Sequence, residues 1–114
     1  MTVREIVREM AVEIRTGELQ PSRARYLLGR LSSLVGNCND EIRVADGAYA
    51  LVLLAHLDST EAANRAKIRA ETTPEYDRKR QARDTKELVV ELIRSLKYIL
   101  RSSEEEMRLG GHDS

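Results

Sequence analysis

Cationic side chains recur at helical spacing in the second half of the chain. At 100° per residue they occupy one arc, which borders an apolar stripe on the same predicted helix. These cations are Lys79, Arg83, Lys86, Arg94, Lys97 and Arg101. A row of cations at this pitch could follow a nucleic-acid phosphate backbone. Arg65 and Arg69 extend the row if the chain bends only mildly at Pro74, and we call these eight residues the basic face.

Two other interpretations of the basic face stay open. The acidic residues Asp84, Glu87 and Glu91 could pair with it locally and leave an ordinary solvated surface. The face could also contact an acidic protein. Tyr76 and Tyr98 lie close to the cations, where aromatic rings could stack on unpaired bases. The alternative for both rings is simple packing.

Catalytic and metal chemistry find little support in the residue pattern. The histidines are His56 and His112, and Cys38 has no neighbouring basic cluster that would lower its pKa. A short stretch of oxygen donors is too generic for a metal site. Its members are Asn39, Asp40, Glu41 and Asp46. Because a Gly-rich phosphate loop is also missing from the sequence, we predict a non-enzyme with no catalytic residue, cofactor or metal.

Composition favours long helices with an aliphatic core. The 114 residues include no Trp, no Phe and two Pro, and 33% of them are charged. Nineteen basic residues balance nineteen acidic ones, so net charge exerts no overall attraction to nucleic acid or membrane. A single cysteine indicates a reducing compartment. With charges throughout the N-terminus and no apolar run near about 18 residues, the sequence predicts a cytoplasmic protein without a signal peptide or membrane span.

Two helices are predicted in the first half of the chain. Residues 3–16 form the first, with Thr2 and Glu5 as a capping box and Gly17 as its end. Residues 21–57 carry apolar side chains in steps of three and four, which we call the apolar seam. The seam consists of Leu28, Leu31, Val35, Cys38, Ile42, Ala45, Tyr49 and Val52. Because the steps continue through the loop-like segment 36–40, one continuous helix is favoured, with a break near Gly36 as the alternative.

The second half is predicted to be helical over residues 60–109. Asp58 or Ser59 is the expected cap. At Pro74 either the helix kinks or a new helix begins with Thr73 as its cap. Gly110 and Gly111 are expected to end the helix, which leaves residues 110–114 as a flexible tail after a single helical domain at 1–109.

The segment AANRAKIRAETTPEYDRKRQARDTKELVVELIRSLKYILRSSEEEMR, residues 62–108, resembles small helical proteins encoded by tailed bacteriophages. The shared pattern is a basic Ala-rich helix, a Thr-Pro-Glu-Tyr turn at 73–76, and a long helix with a late Arg94-Ser95 pair. The resemblance implies a phage or prophage origin. Such proteins often accompany recombination or replication functions, which favours nucleic acid as a partner.

Together these patterns predict an all-α protein, an elongated antiparallel hairpin of two long helices with a short N-terminal helix. We expect a phage accessory protein that forms a homo-oligomer and contacts nucleic acid through the basic face with Tyr76 and Tyr98. The alternative is a protein-binding module, an inhibitor or adaptor, that acts on a host or phage protein through its helices. No membrane or small-molecule substrate is expected.

Overall fold

The computed structural model describes residues 1–59 and 62–112, and this part of the chain is helical without any β-strand. The helices are α1 (Val3–Thr16), α2 (Pro21–Asp58), α3 (Ala63–Ala70) and α4 (Pro74–His112). Asp46 contacts Arg83 and Tyr49 contacts Tyr76, so residue numbers rise along α2 as they fall along α4. The predicted all-α fold, an antiparallel hairpin of two long helices with a short N-terminal helix, is confirmed.

Helix α1 begins and ends where the sequence predicts. The Thr2 hydroxyl accepts a hydrogen bond from the Glu5 amide at 3.1 Å, and the Glu5 carboxylate accepts one from the Thr2 amide at 3.4 Å. This capping box satisfies two backbone donors that the first helical turn leaves without partners. At the other end, Gly17 takes up an extended backbone and ends the helix.

Helix α2 is one continuous helix of 38 residues, and the alternative of a break near Gly36 is wrong. The apolar seam explains this continuity, because its side chains meet the core along the whole helix. Four of them, Leu31, Cys38, Ala45 and Tyr49, are buried, and the other four are half-buried. Gly36 costs the helix about 1 kcal/mol relative to alanine, which buried neighbours on both sides can offset.

The segment 71–73 separates α3 from α4, so the helix predicted at 60–109 is two helices. The hydroxyls of Thr72 and Thr73 donate to the carbonyl oxygens of Arg69 and Ala70 at the end of α3. The Thr73 hydroxyl also accepts from the Tyr76 amide at 3.4 Å. Since proline fits the first turn of a helix, α4 begins at Pro74 with Thr73 as its cap, one of the two predicted alternatives.

Two predicted boundaries are wrong. Asp58 belongs to α2, and α3 begins after Ala62, which makes no side-chain cap, so neither Asp58 nor Ser59 caps it. The predicted start at residue 60 lies outside the described residues. Helix α4 continues through Gly110 to His112 because the backbone of Gly110 does not turn left-handed, as a terminating glycine would. Of the predicted tail, residues 113 and 114 lie outside the described part.

The chain divides into two compact units. Unit 1 contains Met1–Val35 and the chain from Glu87 onward, and unit 2 is Gly36–Lys86. The buried apolar side chains of unit 1 are mainly large. They are Val7, Met10, Ala11, Ile14, Ala24, Leu27, Leu31, Val89, Leu92 and Leu96. Those of unit 2 are mainly small, and they are Cys38, Ala45, Tyr49, Ala66, Ala70 and Ala82.

Two ion pairs attach α1 to the other helices of unit 1. The Arg23 guanidinium donates to both carboxylate oxygens of Glu13, at 2.6 and 2.7 Å. This hydrogen bonding lowers the pKa of Glu13 and raises that of Arg23. Arg15 lies 3.7 Å from Glu91 of α4. Because all four side chains are solvent-exposed, the pairs fix the position of α1 more than they add stability.

Candidate functional site

The ten residues predicted to bind nucleic acid are distributed over both units. Six belong to unit 2, and they are Arg65, Arg69, Tyr76, Lys79, Arg83 and Lys86. Four belong to unit 1, and they are Arg94, Lys97, Tyr98 and Arg101. Arg65 and Arg69 lie on α3, which a three-residue break separates from α4. They therefore do not continue the row of cations as residues of the same helix.

Within unit 2, α2 contacts two of the three α4 cations of the basic face, Arg83 and Lys79. The Arg83 guanidinium donates to the Asp46 carboxylate at 2.8 Å. The Lys79 ammonium lies 4.4 Å from the centre of the Tyr49 ring, a cation–π contact. Lys79 and Lys86 are both half-buried. These contacts reduce the charge and the reach that this part of the basic face offers to a phosphate.

Tyr76 packs inside unit 2. Its ring centre lies 5.4 Å from that of Tyr49 with the planes tilted by 47°, a favourable aromatic geometry. The guanidinium of Arg80 lies 6.0 Å from the Tyr76 ring. Tyr49 itself is only 7% exposed, which agrees with its place on the apolar seam. Of the two readings open for Tyr76, this arrangement corresponds to packing.

The four predicted residues in unit 1 have a different environment. Arg94, Lys97 and Arg101 are solvent-exposed, and within the described part of the chain they form no ion pair. Tyr98 is 71% exposed. Because residues three and four apart share a helix face, Tyr98 lies beside Arg94 and Arg101 on α4. An exposed ring between two guanidinium groups can stack on a base while the cations contact the adjoining phosphates.

The sequence analysis missed an exposed apolar surface on α2 in unit 2. We call it the outer stripe and define it as Val44, Gly47, Leu51 and Leu54, which lie on one side of the helix away from the seam. Val44, Leu51 and Leu54 are 62%, 71% and 53% exposed, and Leu57 at its margin is 40% exposed. Exposed apolar residues are usual as single side chains, but a continuous row of them marks an interaction surface.

A sequence signal for the outer stripe does exist. The eleven residues Gly47–Leu57, GAYALVLLAHL, contain no charged side chain apart from a titratable histidine. A helix that is apolar on all sides is normally buried on all sides. The seam uses only one side of this segment, so the other side must meet solvent or a partner. Counting apolar residues outside the seam would have revealed this surface.

Cys38 and a metal site are two of the chemical possibilities weighed from the sequence. Cys38 is fully buried, and burial, with the nearby Glu41 carboxylate, raises the pKa of its thiol, so a reactive thiolate is disfavoured. No three His, Cys, Asp or Glu side chains among the described residues come together as a metal site. The described helices also lack the combined length and apolar character that crossing a membrane requires.

Unit 1 holds an open cavity of about 340 Å³ where α1 meets the start of α2. Apolar side chains, including Ile6, Met10 and Leu27, line one part of it. The polar part contains Glu9, Glu13, Arg23 and Arg30, of which Glu13 and Arg23 pair with each other through two hydrogen bonds. The cavity is open to solvent, and we assign it no function.

Comparison of the chain with protein-family models, with curated proteins and with solved structures finds no match. A function is therefore proposed from the geometry of the chain's own residues.

Proposed function

We propose that this chain is a non-enzymatic binding module that docks a protein partner on the outer stripe of α2. The single observation that carries the proposal is the exposure of Leu51 and Leu54 on the uncharged segment Gly47–Leu57, with the exposed Val44 just before it. Recognition of this kind, in which apolar side chains at helical spacing meet an apolar groove or helix, is a common mode of protein binding. This proposed function corresponds to the alternative from the sequence analysis, a protein-binding module that acts through its helices.

Energetics support an apolar partner. Moving one Val or Leu side chain from water into a packed interface contributes about 1.5–3 kcal/mol when burial is complete. Three such side chains next to one another supply enough to offset part of the entropy lost on association. Because Gly47–Leu57 contains no Asp, Glu, Lys or Arg, docking there leaves no uncompensated charge from this segment in the interface.

Site-specific photo-crosslinking in producing cells tests the proposal. A photoreactive amino acid replaces Ala55, which is exposed beside the outer stripe. The matched control replaces Asp84, an exposed residue on α4 of the same unit. We expect a discrete protein adduct from position 55 and none from position 84, and the adduct should survive nuclease treatment. If position 55 gives no protein adduct, or if both positions give the same adducts, the proposal is wrong.

A second candidate function is contact with single-stranded nucleic acid through Arg94, Lys97, Tyr98 and Arg101. The observation that favours it is the exposed Tyr98 ring between two cations without ion-pair partners in the described chain. The phage or prophage origin and the cytoplasmic location that the sequence indicates are part of this second proposal. Binding of this type falls steeply as salt rises, whereas docking on the outer stripe does not.

Titration of labelled single- and double-stranded DNA at about 50 and 200 mM salt tests the second candidate. Stacking predicts that Tyr98→Ala weakens single-strand binding by about 1–3 kcal/mol. Tyr26→Ala is the control, because Tyr26 is also exposed beside an arginine, but Glu13 neutralises that arginine. Absence of binding at the lower salt, or equal effects of the two substitutions, would exclude this function.

A further inference from the structure

We propose that the partner on the outer stripe is a second copy of this chain, and that the two α2 helices pair antiparallel about a two-fold axis at the level of Tyr49. This inference rests on the proposed function, since it names the occupant of the same surface. The sequence led us to expect a homo-oligomer. The apolar seam is packed within the chain, so contact between copies requires another face.

The spacing of the outer stripe is that of a helix pair. Outward-facing positions follow one another at Asp40, Val44, Gly47, Leu51, Leu54 and Asp58, in alternating steps of four and three residues. Steps that average 3.5 residues keep one edge of a helix against a partner helix over several turns. The two aspartates bound the apolar part at both ends. They set the length of the contact and do not favour either direction of pairing.

The arrangement of large and small residues favours the antiparallel direction. Gly47 and Leu51 each lie two residues from Tyr49, and Val44 and Leu54 each lie five residues from it. A two-fold axis at this level therefore places Leu51 of each copy opposite Gly47 of the other, and Val44 opposite Leu54. Parallel pairing would set Gly47 against Gly47 and leave a gap where close packing needs atoms. An isologous contact of this kind closes as a dimer.

The surroundings of Gly47 agree with this role. A methyl group built on Gly47 would meet no atom within 4 Å, so no packing inside the chain requires a glycine there. Glycine inside a helix is otherwise unfavourable compared with alanine. The open space above it lies between Val44 and Leu51, where a leucine side chain of a partner helix can enter.

The exposed side chains of the outer stripe suit a modest dimer. Val44, Leu51 and Leu54 are 62%, 71% and 53% exposed, so three side chains per copy can still be buried, which corresponds to the lower end of the size range for specific interfaces. Under this axis the uncharged stretch Gly47–Leu57 faces residues 41–51 of the partner and adds no like-charge repulsion there. Like charges meet at the two ends of the contact, where Asp40 lies opposite Asp58. A self-complementary stripe of this size predicts a reversible dimer and not a permanent one.

Sedimentation of the full chain tests the proposal. We expect a shift from monomer to dimer within about 5–500 µM, as suits an interface of this area. Leu51→Asp should remain monomeric throughout, and circular dichroism should show that it stays helical. Gly47→Val should weaken dimerisation at least about tenfold, because its side chain occupies the space for Leu51. Gly36→Val is the matched control, since Gly36 is equally open but lies outside the paired positions.

Disulfide trapping tests the direction of pairing. In an antiparallel pair, two copies of position 44 lie about 15 Å apart along the axis, too far for a disulfide. Val44→Cys and Leu54→Cys chains should therefore form a mixed disulfide when combined, and neither variant should form a disulfide-linked dimer on its own. Cys38 does not compete because it is fully buried. A disulfide from either variant alone would overturn the antiparallel arrangement.

Failure of this inference is distinguishable from failure of the proposed function. If the chain stays monomeric to about 500 µM while position 55 crosslinks a different protein, the partner is not a second copy, but the outer stripe remains a docking surface. A monomeric chain with no adduct at position 55 overturns both. Adducts at position 55 that contain only peptides of this chain, together with the sedimentation shift, support both.

Discussion

The two units of the molecule build their cores from side chains of different size. Unit 1 covers Leu27, Leu31, Leu92 and Leu96 almost fully, although Val12, Met107 and Leu109 remain exposed. Unit 2 is closed by alanines around Tyr49 and Cys38, while Leu51 and Leu54 face outward. Helices that meet through alanine can approach closely, but they bury little apolar area. The difference indicates that unit 1 gains more stability from burial than unit 2, which leaves Leu51 and Leu54 exposed to solvent.

Truncation of a leucine in each unit should give the largest contrast. Leu31→Ala in unit 1 leaves a cavity in a covered site and should lower the free energy of unfolding by about 2–5 kcal/mol. Leu51→Ala in unit 2 removes a side chain that solvent already reaches, so a change within about 0.5 kcal/mol is expected in the monomer. Urea denaturation at low protein concentration measures both, and equal losses would mean that unit 2 also covers its leucines.

Enlarging an alanine of the unit 2 core should have an intermediate effect. Ala66 is fully buried on α3, so Ala66→Leu should force α3 away from its neighbours and cost about 1–3 kcal/mol. Ala63→Leu adds the same atoms at an exposed position of the same helix and should be nearly neutral. Urea denaturation and helical content provide the comparison. A neutral Ala66→Leu would show that close approach through alanine is not what holds α3.

The smallest expected effect is a pH dependence from Cys38 in the unit 2 core. Burial raises the pKa of its thiol in the folded chain, whereas an unfolded thiol ionises near about pH 8.5. Below that pH the thiol is neutral in both states and stability is unaffected. Above it the unfolded state loses its proton first, so stability falls as pH rises toward the folded pKa.

The variant Cys38→Ala isolates this contribution. It should show a flatter decline in the free energy of unfolding between about pH 8.5 and 9.5, below the range in which tyrosine titrates. Identical slopes for the variant and the wild-type chain would mean that solvent reaches the thiol, which would weaken the picture of a small but closed core in unit 2.

Much of the fold could be read from the sequence because its signals are local. The capping box of Thr2 and Glu5, the apolar seam and the role of Thr73 before Pro74 are set by residues within one or two helical turns. The seam also shows why the loop-like segment 36–40 stays helical, since burial of Cys38 outweighs the propensity of its neighbours. The wrong boundary at Asp58 reflects how weakly one polar residue marks a helix start.

The candidate sites depend on pairings that lie far apart in the chain. In the sequence pattern, Arg83 is a cation on α4 without an evident partner. In the folded hairpin its guanidinium lies 2.8 Å from the carboxylate of Asp46, which is 37 positions away in the chain. Tyr76 likewise meets Tyr49 only through the hairpin. The helical pitch places a cation on a face, but it does not show which side chain of another helix will meet it. For that reason the paired and the unpaired members of the basic face could not be told apart from the sequence.

The open helical glycines also make this chain an accessible target for thermostabilisation. A methyl group at Gly29 or Gly36 would meet nothing within 4 Å, and neither backbone is left-handed. Alanine at each position restricts the unfolded chain and favours the helix, which is worth about 0.4–1 kcal/mol per site. The two replacements leave the outer stripe untouched. A chain stabilised in this way would better tolerate the costly core substitutions Leu31→Ala and Ala66→Leu.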